Sequence, residues 1–100
     1  KDRIMRSAPH VIVAHADKSL GTAGGACMIA VTYLELAAYS FGLGACWAGY
    51  FNFAAQTYPP LVEELGLPQG HQPFGSLMVG KPKYSYQRIP ARRPAEITWS

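Results

Sequence analysis

From Thr22 to Phe41 the chain runs without proline and with a single charge, Glu35, through a stretch rich in alanine and leucine. A run of that length and composition forms a helix, and Gly42 and Gly44 directly after it supply the backbone freedom with which helices stop. The helix expected over 22–42 is apolar nearly all round, interrupted mainly by Thr32, Glu35 and Ser40, so it belongs in a core or a subunit interface rather than on a wet surface. A bilayer span needs about 20 apolar residues. Glu35 and the glycine-rich opening leave a shorter apolar stretch than that, so no membrane is expected as a partner.

Other elements arrange themselves around this helix. PHVIVAHA, Pro9 to Ala16, is a compact β-branched run of strand length, closed by the turn-like ADKSLG. GACWAGYF reads as a short extended or looped segment after the helix. NFAAQTYPPLVEELGLP reads as two short helices split at Pro59 and Pro60 and ended at Gly66. A second strand is expected at 73–80, PFGSLMVG. Three prolines and no helical period follow, so residues 80–100 should run as an extended arm, with a short strand at EITW.

Two strands and their helices cannot complete a sheet. A chain of 100 residues also buries only about 60–70% of its unfolded surface. With 49% apolar and 15% charged residues, against about 25% charged in ordinary soluble domains, part of the surface should be an interface. The missing strands are expected from a preceding half or from a partner chain. The opening KDRIMRSAPH lacks the apolar core of a signal peptide and the initiating methionine, so the natural protein is expected to begin earlier. Cys27 and Cys46 form neither a disulfide framework nor a C-x-x-C pair, which predicts two buried thiols in a reducing, cytoplasmic setting. Lys81, Lys83, Arg88, Arg92 and Arg93 crowd the arm and call for an anion. Without an aromatic-lined sheet or a known motif these cations do not make a nucleic-acid module, even with Tyr84 and Tyr86 beside them.

Three segments in order, AAYSFGLGACWAGYF, LGLPQGHQPFGSLMVGKPKY and YQRIPARRPAEITW, resemble the FMN-dependent nitroreductase family over roughly residues 8–100. Each alone is weak, since GLG and G-x-P are common punctuation; their order and spacing are specific. The resemblance implies an α+β nitroreductase-like fold with a mainly antiparallel sheet, of which residues 1–100 are the C-terminal part, and a homodimer with the helix over 22–42 at its interface. The tail is similar to a subgroup in which a ferredoxin-like iron–sulfur module precedes the flavin domain. The family's Arg-rich phosphate motif and its Ser/Asn segment are not in this chain.

The implied chemistry passes two electrons from NAD(P)H or a protein donor such as a ferredoxin through FMN to a small-molecule acceptor, a nitroaromatic or a quinone. The alternative is a non-catalytic fragment or subunit that assembles with a complementary half. By the resemblance, Ala48 and Gly49 pass a backbone N–H near the flavin N5 and O4 edge, where small residues let the main chain come close. Trp47 is either a wall of the flavin pocket or a core aromatic, and Cys46 beneath it is an inert thiol. Arg88 would pair with the FMN phosphate through its planar fork, with Tyr86 supplying a hydroxyl. Lys81, Lys83, Arg92 and Arg93 read as solvated charges. Glu35 needs a partner or water. His10 and His15, five apart on one strand, fall on opposite faces and share no ion, and His71 sits in the loop QGHQP facing solvent.

Overall fold

The computed structural model describes residues 2–100. Strand β1 (His10–Asp17) leads into α1 (Ala23–Ser40), followed by β2 (Gly44–Trp47), α2 (Gly49–Thr57), α3 (Pro59–Leu65) and β3 (His71–Gly80). The three strands form one antiparallel sheet in the order β1-β3-β2. The architecture is therefore α+β with an antiparallel sheet, as expected, but with one strand more than the sequence revealed. GACW pairs with the free side of β3, Trp47 opposite Leu77 and Gly44 opposite Gly80. Four residues are too few for an alternating pattern to show.

Helix α1 ends as its glycines dictate. Gly42 takes a left-handed φ of 72°, which lets the Gly42 amide donate to Tyr39 and the Leu43 amide to Ala38, so two terminal carbonyls are satisfied. The split of α2 from α3 falls where the prolines place it. Pro59 opens α3, where a missing N–H does no harm, and Gly66 closes it at φ 64°.

The sheet is covered on both faces. A Cβ on Gly75 would meet Val31 and Met28 of α1, whereas the next residue, Ser76, donates its hydroxyl to the Ala48 carbonyl at the head of α2. Successive strand residues face opposite ways, so α1 lies on one face and the start of α2 on the other. Leu77, in the central strand, is fully buried, and with Val31 and Val79 it makes the core against which Leu34, Leu43 and Trp47 pack.

Only part of α1 finds a place in that core. Cys27, Val31 and Ala38 are buried, but Ile29, Tyr33, Leu36 and Tyr39 stand in solvent, Tyr39 at 83% exposure. Residues 81–100 are exposed throughout and contain no strand, so the element expected at EITW does not form. An extended segment becomes a strand only by pairing with an edge, and the arm pairs with neither of the sheet's open edges, β1 or β2. The radius of gyration is 16.1 Å, against about 13 Å for a compact chain of this length.

Candidate functional site

The segment Trp47–Asn52 joins the end of β2 to the head of α2. Trp47 is half-buried and its indole N–H donates to the Glu35 carboxylate at 2.7 Å, which gives the lone charge of α1 its partner. Ala48 is buried, and its amide donates to the Ser76 carbonyl at 2.9 Å while its carbonyl accepts from Asn52 at 2.9 Å. Its N–H is thus spent inside the chain. Gly49 is different. It is the first residue of α2, exposed, and its amide meets no acceptor among the described residues. Helix starts leave such donors free by construction. A Cβ at Gly49 would meet nothing within 4 Å, so the space beside it is open. One turn on, the Asn52 Oδ1 is buried without a hydrogen-bond partner.

A concavity of about 740 Å³ adjoins this turn, lined by Arg3, Ile4, Arg6, Tyr50 and Phe53. Arg3 and Arg6 outnumber the one acidic lining residue, Asp2, and with Tyr50 and Phe53 beside them the space suits an anionic, planar ligand. Sequence reasoning passed over Arg3 and Arg6 as part of a polar lead. The only available sign was their spacing in KDRIMR, and nothing local to that stretch showed that it folds back onto α2. Asp2 holds the lead in place, accepting from the amides of Met5 at 2.8 Å and Ile4 at 3.0 Å. Those amide bonds, Met5 foremost, hold its carboxyl below the usual aspartate value of 3.8.

The other two expected site residues lie elsewhere. Tyr86 is 97% exposed and Arg88 is exposed, both on the arm, and the chain does not fold them onto the Trp47–Asn52 turn. Cys46, expected to be buried, is exposed, because β2 is an edge strand with no neighbour beyond it. His71 opens β3 opposite Asp17 rather than sitting in a loop, and its Nδ1 lies 3.0 Å from the Nδ1 of His15. Among the described residues no helix is long and apolar enough to cross a membrane.

An antiparallel sheet held between a long apolar helix and a second, shorter helix defines an α+β class. The model of the nitroreductase family matches residues 1–81, and the chain belongs to that family. Tyr86 and Arg88 lie beyond the matched residues. Among solved structures the chain is similar to a nitroreductase with bound FMN from Bacteroides fragilis, with TM-score 0.79 and 21% identity over 100% of this chain and 55% of that one. It is also similar to an FMN-dependent nitroreductase from Clostridium difficile, with TM-score 0.64 and 26% identity over 83% of this chain and 51% of that one. A third is a NADH dehydrogenase/NAD(P)H nitroreductase from Parabacteroides distasonis, with TM-score 0.62 and 32% identity over 83% and 50%. The chain thus spans about half the length of these structures. Comparison with curated proteins returns no match.

Proposed function

We propose that this chain is part of an FMN-dependent oxidoreductase of the nitroreductase type, and that its contribution to the flavin site is the turn from Trp47 to Asn52. The observation that carries this reading is the unpaired Gly49 amide at the head of α2, beside open space. When bound, FMN supplies two-electron transfer from a nicotinamide or protein donor to a small acceptor such as a nitroaromatic or quinone. The chain's own residues position it. Gly49 offers a fixed donor to the ring edge on which negative charge gathers, and a prealigned donor stabilises such charge without reorganising. Ala48, tied to Ser76 on both its amide and its carbonyl, holds that donor in place. Trp47, anchored by Glu35, walls the turn on its β2 side. Arg88 pairs with the phosphate and Tyr86 adds a hydroxyl once the arm is laid down by the rest of the domain or by the second subunit of a cytoplasmic homodimer. The Asn52 Oδ1, buried and unpartnered, fits a site whose remaining donor comes from a ligand.

The site is completed by the half of the domain that this chain does not span, and that dependence is testable. Through gel filtration the isolated chain is expected to lose FMN and to leave NAD(P)H unoxidised, while a protein carrying the whole domain keeps a stoichiometric flavin. Stoichiometric FMN on the isolated chain, with NAD(P)H oxidation, would contradict it. A second reading, a non-catalytic subunit that assembles with a complementary half, draws on the exposed apolar side of α1. A whole-domain protein that dimerises yet never retains flavin would favour that reading.

A further inference from the structure

We propose that His15 and His71 form a two-imidazole chelate for a divalent transition-metal ion, at the end of the sheet where β1 meets the start of β3. The two Nδ1 atoms are 3.0 Å apart although the residues are 56 positions apart in the chain. Metal–imidazole bonds are about 2.0–2.1 Å long. Two such bonds to atoms 3.0 Å apart enclose an angle of roughly 94°, the cis angle of an octahedral or square-planar ion. Opening toward a tetrahedron needs a separation of roughly 3.3 Å, a few tenths more. The rings are tilted by 58°, with centroids 5.1 Å apart, so neither blocks the other's approach to a common ion by stacking.

The backbone sets up this pairing. Asp17 lies opposite His71, and His15 lies opposite Pro73, with a bulge just before His15. Asp17 and His15 are two apart on one strand, so with His71 they share a face and add a negative charge beside the pair. Lys18 is the neighbouring cation, on the next position of the chain. His15 is exposed and β1 is an edge strand, which leaves the remaining coordination positions to water. No set of three His, Cys, Asp or Glu side chains converges on one point among the described residues. The site is therefore a bidentate one of moderate affinity, accepting borderline ions that favour imidazole, with Cu²⁺ and Ni²⁺ ahead of Mn²⁺. Without metal, the two Nδ1 atoms share one proton in a hydrogen bond.

Titration of the tag-free chain with Ni²⁺ by calorimetry tests this. One saturable site per chain is expected. His15→Ala and His71→Ala should each weaken it about a hundredfold, because each leaves a single imidazole where two acted together. His10→Ala, on the same strand but away from the pair, should leave it unchanged. A readout on the unaltered chain covers the case in which a variant fails to fold: substoichiometric Ni²⁺ should broaden the imidazole resonances of His15 and His71 and spare those of His10. Absence of a saturable site, equal loss in His10→Ala, or uniform broadening of all three histidines would overturn the proposal and leave the pair as a hydrogen bond that fixes the strand register.

Discussion

Glu35 and Trp47 show how one side chain explains another. A carboxylate in an otherwise apolar helix would be costly to bury alone, and the indole of the neighbouring strand supplies its donor at 2.7 Å. A hydrogen bond to a charged group contributes about 1.5–3 kcal/mol. Trp47→Phe should therefore destabilise the fold by about that amount in urea titration, and Glu35→Gln by less, since the amide oxygen still accepts. Equal, negligible losses would mean the bond is not formed in solution. Gly80 is a steric case. A Cβ there would sit 3.1 Å from two ring atoms of Pro9, and a proline ring cannot swing aside. Gly80→Ala is expected to lower stability by about 1–3 kcal/mol, in line with overpacking elsewhere. Two aspartates give the pH dependence. Asp17 is held below 3.8 chiefly by the Ser19 amide, then by the Ser19 hydroxyl, with His71 and Lys18 adding to it, and Asp2 is lowered by the amides of its own turn. A carboxyl lowered on folding stabilises the fold above its unfolded value and loses that contribution as pH falls through the folded one. The melting temperature should thus fall as pH drops below about 3.8, and Asp17→Asn should flatten that slope.

At the scale of elements, what could be read from the sequence was what local chemistry decides. Proline and glycine settle α1, the break between α2 and α3, and the left-handed stop at Gly66, because each acts on its own backbone. Strand β2 escaped notice because its four residues become a strand only by pairing with β3. The histidine pair escaped for the same reason: the β1–β3 register, not either local sequence, brings His15 to His71. In the candidate site, the Trp47–Gly49 segment was visible through the family's pattern. Which amide stays free was not, since Ser76 claims that of Ala48 from 28 residues away. The arm is the element with most still to gain. If Arg88 meets the FMN phosphate, Arg88→Ala removes about 1.5–3 kcal/mol. FMN should then bind roughly 10- to 150-fold more weakly, riboflavin should bind unchanged, and Arg92→Ala should show only a small, salt-sensitive effect. Equal small effects from both would return Arg88 to the solvated arm.

Over the whole molecule, an exposed apolar side of α1, open sheet edges and an arm without a neighbour all describe a surface built to be covered. Sedimentation should find the isolated chain self-associated at micromolar concentration, and a well-folded monomer would count against that reading. The central claim concerns the Gly49 amide. Proline is tolerated at the first position of a helix, where it deletes the N–H and little else. The Cβ of either Gly49→Pro or Gly49→Ala enters open space, and only the first change removes the donor. The measurement is the FMN midpoint potential of the flavin-loaded protein carrying each change. Loss of a donor to the reduced ring, about 1.5–3 kcal/mol, predicts a potential about 30–65 mV more negative for Gly49→Pro than for Gly49→Ala in a two-electron couple. Identical potentials in the two variants, with flavin bound equally by both, would contradict the assignment of this turn to the flavin.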